Sequence, residues 1–430
     1  MKKAIVLLAF FALMVFFLPT SAQSAVSKFK NWGEVAEAMR ETLEKAYDSY
    51  SSGSPDDSFD WVNSAYFDFY EKEGFERNVK GRISGKRCTQ VEYKFGMIKQ
   101  KIRKGAPKEE IRADLDILIT WLMEDADSLD GRTAAQAQAQ AQAQTQTSGQ
   151  TTIEPAAPVS SGRDWAIFFA AFGTLLREGF EAILVIAAIA AYLTRAGFQK
   201  SVPTVYWASA AAIVVSGLAA VALQLVFQNL SGAKQEVIEG LTMLLATVVL
   251  FCVSNWMFSK AEAEAWKRYI ETKVKQALTA GSTFALAAAA FLAVFREGAE
   301  TILFYQGILT EADGATGMVW GGFAVGCVAL VIVFIIIRYG SMRLPLKPFF
   351  LWTSILMFIM AIAFVGGGIK ELQEGDALSI TFIEGFPTVE LLGIFPTVQT
   401  LVPQIVLVLL TILSIVVIRR KNRRLKLAAA

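Results

Sequence analysis

The spacing of hydrophobic and polar positions divides the chain into parts of different character. Between residues 26 and 132, apolar residues recur every three or four positions, as in Trp32, Val35 and Met39. This spacing predicts amphipathic helices, and four such segments predict a small four-helix bundle. An Ala/Gln-rich stretch follows at 133–162. It has no apolar face to bury, which is typical of a linker.

From residue 163 onward the apolar runs become long enough to cross a bilayer, which takes about 20 helical residues. Seven such runs occur, at approximately 165–194, 203–229, 237–258, 283–309, 317–338, 348–369 and 401–418. The composition agrees, because 54% of all residues are hydrophobic, more than is usual in a soluble domain. We therefore predict an all-α polytopic membrane protein, with a seven-helix domain at 163–418 and a basic tail at 419–430.

The beginning of the chain and its basic residues both predict an orientation. Residues 1–22 are typical of a secretory signal peptide, since Lys2 and Lys3 precede a short apolar run and small residues. A first transmembrane helix is the alternative. If the bundle is exported, 16 Lys and Arg residues fall in cytoplasmic segments, against only Lys234 and Lys370 in external loops. We predict a protein of the cytoplasmic (inner) membrane, with a periplasmic bundle and a cytoplasmic C-terminus.

Two of the apolar runs contain the same charged motif, R-E-G-x-E. It occurs in LLREGFEAIL and again, 119 positions later, in VFREGAETIL. The charged residues of the two copies are Arg177, Glu178 and Glu181, and Arg296, Glu297 and Glu300. The copies lie in the first and fourth runs, which cross the membrane in opposite directions. This is the pattern of a 3+3 inverted repeat with one added helix, and such repeats are typical of transporters.

These charges lie about 12 residues into each run, which places them near the middle of the bilayer. A charge there costs about 2.5–3.5 kcal/mol on insertion scales, so the side chains must face one another or a cavity. Arg177 and Glu181 are spaced to pair along one helix, and Gly179 and Gly298 allow close helix approach. Four carboxylates and two guanidinium groups leave a formal charge of −2.

A multivalent cation would neutralise this charge, and hard oxygen ligands suit iron, manganese, magnesium or calcium. Two other interpretations stay open. The pairs could be structural salt bridges without a ligand, or a proton relay without a metal.

The residue types that the chain lacks exclude other chemistry. There is no histidine, the commonest ligand of zinc, copper and nickel and the usual proton shuttle. The three cysteines, Cys88, Cys252 and Cys327, predict neither a disulfide framework nor a thiolate metal site. A net charge of +2 without a basic patch gives no sign of nucleic-acid binding. With no nucleophile motif or nucleotide loop, we expect a protein that is not an enzyme.

Further acidic residues lie outside the membrane centre. Two E-x-x-E pairs are predicted at the external face, Glu236 with Glu239 and Glu371 with Glu374. Solvated loop charges are the ordinary interpretation, and a funnel that concentrates cations is the alternative. In the exported part, a solvated face is expected of Glu71, Glu73, Glu76 and Glu92, with iron binding or sensing as the alternative. The triplet Gly366–Gly368 marks either backbone opened to a cavity or tight helix packing.

The duplicated R-E-G-x-E motif resembles that of the high-affinity iron permeases, the iron/lead transporter family of bacteria and fungi. EVIEG (236–240) ahead of NWM (255–257) is similar to that family's third helix, and LLGIFPTVQTL (391–401) to the stretch before its last helix. The resemblance covers about 163–418. AYFDFYEKEGFE (65–76) is similar to the periplasmic extension of some bacterial members.

This resemblance implies iron uptake across the cytoplasmic membrane, with iron as the transported substrate and no permanently bound cofactor. It implies that the ion in transit is bound by Glu178, Glu181, Glu297 and Glu300 and that Arg177 and Arg296 orient and balance these acids. It also implies a periplasmic iron-binding or oxidase partner, but specifies neither that partner nor the oxidation state. A membrane-bound metal sensor or assembly scaffold, or a permease for another divalent metal such as lead or manganese, stays open.

Overall fold

The computed structural model describes residues 29–131, 161–228, 230–259, 283–312, 315–339, 346–383 and 385–428. Within these ranges the chain is all-helical, with twelve α-helices and two isolated β-bridges. Three features predicted from the sequence lie outside the described residues. They are the signal peptide at 1–22, nearly all of the linker at 133–162 and the basic segment 260–275.

The first five helices form a bundle around its own hydrophobic core. They are α1 Trp32–Ser51, α2 Pro55–Ser64, α3 Phe75–Arg82, α4 Gly85–Arg103 and α5 Lys108–Leu129, with a π-helical turn at Ala65–Glu71 after α2. The apolar positions of the predicted pattern are buried, among them Val35, Met39 and Leu43. The backbone N–H groups of Trp32 and Gly33 donate to Asp130 just beyond α5, which fixes the first helix against the last.

The sequence pattern predicted four helices in the bundle, but the structure has five. The short helix α3 follows Gly74, whose positive φ of 77° turns the chain out of the π-helical turn. Its first residue, Phe75, packs its ring against Tyr70 at a centroid distance of 5.7 Å, and Tyr70 contacts Phe95 of α4 at 5.8 Å. Eight residues with two buried positions are too few to give a helical period in the sequence.

The remaining seven helices coincide with the seven predicted apolar runs. They are α6 Ser161–Arg195, α7 Val202–Gln228, α8 Ala233–Ser259, α9 Thr283–Ala312, α10 Thr316–Tyr339, α11 Leu346–Glu374 and α12 Val398–Ala428. In the described part of the chain, four segments are long and apolar enough to cross a membrane, Gln199–Phe227, Ala233–Ser254, Thr316–Ile337 and Trp352–Glu374. The chain is therefore an integral membrane protein. Helices α6 and α9 contain the charged motifs, which lower their hydropathy.

The packing of these helices brings the two motifs together. Helices α6 and α9 lie against each other; α6 also packs on α10, and α9 on α7, while α8 packs on α11. The motif glycines permit these contacts. A Cβ on Gly179 would lie 2.2 Å from the Leu330 side chain of α10, and one on Gly298 would lie 2.2 Å from Ser216 Oγ of α7. A larger residue at either position would displace the Leu330 or Ser216 side chain.

The glycine triplet of α11 serves tight packing, and the helix runs through it without a break. A Cβ on Gly366 would lie 1.9 Å from the carbonyl oxygen of Gly393. Across the helix pair, a Cβ on Gly240 of α8 would lie 2.6 Å from the carbonyl oxygen of Gly368. Of the two interpretations drawn from the sequence, close helix contact is therefore the correct one.

The bundle packs against the segment that follows α11. Lys99 Nζ of α4 lies 2.7 Å from Asp376 Oδ2, immediately after α11, and the ring of Tyr93 packs on Phe382 at 5.8 Å. The segment between α11 and α12 is fixed in turn by Gln404. Its Nε2 donates to the carbonyl oxygens of Leu392 and Gly393 at 3.0 and 2.9 Å.

Candidate functional site

Three carboxylates of the two motifs meet between α6 and α9. The side chains of Glu178, Glu297 and Glu300 each offer an oxygen, and these oxygens lie within 4.8 Å of one another. Glu178 and Glu297 are 1% and 5% exposed. The sequence predicted this meeting of helices, and we call these three residues the central cluster.

Each arginine bridges the two acids of its own motif. Arg177 Nη1 lies 2.5 Å from Glu178 Oε1, and its Nη2 lies 3.1 Å from Glu181 Oε1. In the second copy, Arg296 Nη2 lies 3.0 Å from Glu297 Oε1 and its Nε 3.3 Å from Glu300 Oε1. The fourth predicted ligand, Glu181, is paired with Arg177 and does not join the central cluster.

Two carboxylate oxygens of the central cluster have no hydrogen-bond donor in the described part of the chain. Oε2 of Glu178 and Oε2 of Glu297 are buried and accept no hydrogen bond within the described part of the chain. A buried acceptor without a donor costs free energy. A cation between the two motifs would offset that cost, since both oxygens are hard ligands.

A cavity of about 1280 Å³ extends from this cluster to the bundle. It runs past Glu178, Glu297 and the two motif glycines and continues to residues near the start of α7 and the end of α10, among them Val202 and Phe334. The part of the cavity next to the bundle is lined by the four acids of the E-x-x-E pairs and by bundle residues, Glu236, Glu239, Glu371, Glu374, Tyr66, Glu71 and Glu76. The same space is thus bordered by both groups of acidic residues singled out in the sequence.

The outer acids form a second cluster. Glu236 of α8 and Glu371 and Glu374 of α11 place carboxylate oxygens within 4.8 Å of one another, and we call them the outer cluster. Glu239 lines the cavity but lies outside this group, and it accepts a hydrogen bond from Gln235 Nε2 at 2.9 Å. The ordinary interpretation of these acids as solvated loop charges is wrong, because Glu236 and Glu374 lie in helices and are only 7% and 9% exposed.

Lys370 is the main residue that sequence reasoning misplaced. It was assigned to an external loop, but it lies inside α11 and is buried. Its Nζ lies 2.5 Å from Glu374 Oε1 and 3.2 Å from Glu92 Oε2 of the bundle. The sequence does contain a signal that Lys370 lies in a helix, since it precedes Glu374 by four positions in K-E-L-Q-E, the spacing of an ion pair along a helix.

A third group of ligand-type side chains, Glu76, Cys88 and Glu92, lies inside the bundle. Cys88 Sγ donates to Glu92 Oε1 at 3.1 Å. Burial raises the pKa of Cys88 well above its usual range, and the nearby charges of Glu92 and Glu76 raise it further. The thiol therefore stays protonated. The solvated face expected of these acids is wrong for Glu92, which is 3% exposed.

Glu92 nevertheless keeps its charge. Burial raises the pKa of Glu92, but the ammonium groups of Lys370 and Lys80 and the hydrogen bond from Cys88 lower it by more, so the pKa lies below its usual range. The positive charge next to this carboxylate is therefore already supplied by lysine.

Sequence reasoning missed Glu311 altogether. It stands near the end of α9, where a Cβ on Gly367 would lie 2.1 Å from its Oε1. With Lys370 and Glu92 it lines a small cavity of about 30 Å³ behind the outer cluster. A single acid at the end of an apolar run gives no motif, so no sequence signal marked it.

The sequence is similar to a family of known proteins and to individual members of it. The model of the Iron permease FTR1 family matches residues 82–288 and 271–379, from the bundle to just beyond α11. The Iron permease EfeU of Bacillus subtilis is 33% identical over 242 residues, 56% of this chain and 50% of the relative. The Ferrous iron permease EfeU of Yersinia pestis is 28% identical over 212 residues, 48% of this chain and 72% of the relative.

The chain therefore matches about half the length of the Bacillus relative. No solved structure matches it. The family model covers well over half of the chain, including both charged motifs and the helices that hold them. The chain belongs to the iron permease FTR1 family.

Proposed function

We propose that the protein is an iron permease that imports iron ions across the cytoplasmic membrane through a carboxylate site formed by the two R-E-G-x-E motifs. The observation that carries this proposal is the position of the central cluster along a cavity that is also lined by acids on the side of the bundle. Family membership supports it, because relatives in the family are named as iron permeases.

The membrane domain is proposed to be a 3+3 inverted repeat of seven spans, in which α6–α8 and α9–α11 correspond and α12 is added. The helix contacts support this arrangement. Exchanging the two halves turns the contact of α6 with α10 into the contact of α9 with α7, and both contacts are present. The same exchange leaves the contacts of α6 with α9 and of α8 with α11 unchanged. Two halves related by a pseudo-twofold axis give this set of contacts, with the substrate site at their interface.

The route begins at the outer cluster, where charges of one sign raise the local concentration of cations. An ion that moves inward exchanges water for carboxylate oxygens, first of the outer cluster and then of Glu178, Glu297 and Glu300. Arg177 and Arg296 keep these carboxylates in place and offset part of their charge. The site then binds a multivalent ion without holding it so tightly that it cannot leave.

The other interpretations account for less of the geometry. A purely structural salt bridge needs one acid per arginine, whereas the central cluster leaves Oε2 of both Glu178 and Glu297 without a donor in the described structure. A sensor or assembly scaffold gains nothing from buried acids that line a deep cavity. A proton relay needs neither paired arginines nor hard ligands that face one another. A permease for another divalent metal, such as manganese or lead, would use the same ligands. Uptake measurements with each metal distinguish it from an iron permease.

The remaining parts of the chain complete the proposal. Residues 1–22 serve as a signal peptide, the bundle at 26–132 lies in the periplasm, 133–162 is a linker and 419–430 is a cytoplasmic tail. The outer mouth of the cavity is bordered by the bundle residues Tyr66, Glu71 and Glu76. A periplasmic iron-binding or oxidase partner would deliver its ion there. No permanently bound cofactor and no catalytic residue are required.

The test is metal uptake by the purified protein in proteoliposomes. Radiolabelled iron is supplied as Fe²⁺ with a reductant and as Fe³⁺ with citrate, and manganese and lead are supplied in parallel. We expect accumulation of iron above protein-free liposomes in at least one oxidation state. Accumulation of manganese or lead alone would assign the permease to another metal. Absence of uptake for every metal would favour the sensor or scaffold.

A further inference from the structure

The exported bundle and the membrane domain share one buried charge, the ammonium group of Lys370. It is 8% exposed and lies between two carboxylates of different origin. Glu374 belongs to the outer cluster and is 2.5 Å away, whereas Glu92 belongs to α4 of the bundle and is 3.2 Å away. Lys370 borders both the large cavity and the small one behind it.

The ammonium group occupies the place of a cation beside the outer cluster. With all groups ionised, Glu236, Glu371 and Glu374 carry a formal charge of −3, and Lys370 reduces it to −2. An incoming metal ion and the ammonium group both need the oxygens of Glu374, so they compete for them. A second acceptor that holds the ammonium group makes Glu374 more available to the ion.

Glu92 is that second acceptor, and its surroundings hold it firmly. Its other oxygen, Oε1, accepts from Cys88 Sγ at 3.1 Å. Helix α4 is itself fixed on the membrane domain by Lys99, whose Nζ lies 2.7 Å from Asp376 and donates to the backbone carbonyl of Glu374 at 3.3 Å. The position of Glu92 relative to Lys370 therefore depends on how the bundle docks.

We propose that Lys370 is an internal counter-cation of the outer cluster and that Glu92 of the bundle, by sharing it, sets the affinity of that cluster for the incoming ion. This rests on the proposed permease function. The bundle is then a positioning element for ion capture as well as a cover over the cavity. A movement of α4 away from α11 returns the ammonium group to Glu374 and weakens capture without altering the central cluster.

A double-mutant cycle tests the proposal through the kinetics of radiolabelled iron uptake. In Glu92→Gln, Lys370 loses its ion pair with the bundle and keeps the one with Glu374. We expect the half-saturation concentration to rise by about three- to tenfold with little change in maximal rate, as a lost charge contact of about 1 kcal/mol gives. In Lys370→Gln, the outer cluster gains formal negative charge. We expect the half-saturation concentration to fall, and the maximal rate to fall with it because the ion leaves more slowly.

The decisive value is the effect of Glu92→Gln in the Lys370→Gln background. If Glu92 acts through Lys370, this second substitution changes the half-saturation concentration less than about twofold. An equal rise in both backgrounds would show that Glu92 acts through its own field and would overturn the proposal. So would an unchanged half-saturation concentration in Glu92→Gln alone.

Two further variants guard against a merely structural effect. Lys94→Gln breaks the ion pair with Asp114 (3.0 Å), which lies wholly within the bundle, and should leave the kinetics unchanged. Glu92→Asp keeps the charge but withdraws it by one methylene group, and should give a smaller rise than Glu92→Gln. If Glu92→Gln does not reach the membrane, the Glu92→Asp substitution carries the cycle, and an unchanged half-saturation concentration would then overturn the proposal.

Equilibrium dialysis of radiolabelled iron against the same purified variants separates this proposal from the permease function. A wild-type protein that binds iron but accumulates none in liposomes would contradict the permease function, and the binding cycle would still decide the role of Lys370. A protein that transports iron but shows additive effects of the two substitutions would contradict only the role of Lys370.

Discussion

Arg177 and Arg296 hold equivalent positions in the two motifs, but the Arg177 side chain is 1% exposed and that of Arg296 is 58% exposed. Each bridges the two glutamates of its own copy. The sequence repeat is therefore not matched by equal surroundings. Arg177 is enclosed on all sides, and loss of its contacts leaves buried carboxylates without compensation.

This difference predicts unequal effects of the same substitution. An ammonium group cannot hold two carboxylates in the planar way that a guanidinium group does. Arg177→Lys should reduce iron uptake by about tenfold or more, because breaking a buried pair costs several kcal/mol. Arg296→Lys should reduce it less, because the Arg296 side chain is less enclosed by protein and its contacts with Glu297 and Glu300 are 3.0 and 3.3 Å long. Uptake rates and unfolding temperatures of both variants check this, with Arg112→Lys on the bundle surface as control. Equal losses at the two positions would contradict it.

The outer cluster predicts a defect in capture. Glu236→Gln combined with Glu371→Gln should raise the half-saturation concentration for iron while leaving the maximal rate nearly unchanged. Because Glu236 is buried, the defect should persist at high salt. Glu239→Gln removes an acid of the same helix that lies outside the cluster, and its smaller defect should shrink as salt screens it. The measurement is uptake kinetics at low and high ionic strength. A collapse of the maximal rate in the double variant would move these residues to the transport site.

The contact between α8 and α11 predicts a packing defect. In Gly240→Ala, the new Cβ would lie 2.6 Å from the backbone oxygen of Gly368, which cannot move without shifting the helix. We expect destabilisation by about 1–3 kcal/mol, typical of an overpacked interior. Gly317→Ala is the control, since nothing lies within 4 Å of its Cβ position. Unfolding temperatures in detergent compare them, and equal stability of the two variants would contradict the close approach.

The distribution of basic residues predicts the orientation. A reporter that is active only in the cytoplasm should work when fused after Ala430 and fail when fused within the linker at 134–150. The basis is the ratio of 16 basic residues to two, and one of those two, Lys370, is buried in a helix. A fusion within the cytoplasmic tail after Leu427 serves as a second positive control. Reporter activity in the linker would reverse the orientation proposed for the whole protein.

Features with a local period could be predicted from the sequence, and features made by distant partners could not. The seven apolar runs predicted the positions of α6–α12, because a span needs a continuous stretch of apolar residues. The motif repeat predicted that Glu178 and Glu297 lie close together, because residues at equivalent positions of the two halves face each other across their interface. Lys370 was misplaced because its partner Glu92 is far away in the chain and no local pattern links them. Glu311 lies just beyond its apolar run and belongs to no motif or helical period.

The central claim is that the carboxylates of the two motifs bind the ion in transit, and replacing them singly by glutamine tests it most directly. Glutamine keeps the volume but removes the charge and a hard ligand. Glu109→Gln, on the exposed first turn of α5, is the control for the substitution itself.

The measurement is the maximal rate of radiolabelled iron uptake into proteoliposomes for the single variants Glu178→Gln, Glu181→Gln, Glu297→Gln and Glu300→Gln. We expect the rate of each central-cluster variant to fall by about tenfold or more, as for removal of a buried charged ligand, with the protein still folded and inserted. Glu181→Gln removes a partner of Arg177 and not a member of the cluster, and its rate should fall less. Glu109→Gln should transport like the wild type. Near-normal uptake in all four motif variants would contradict the claim and leave the charges of α6 and α9 as structural salt bridges.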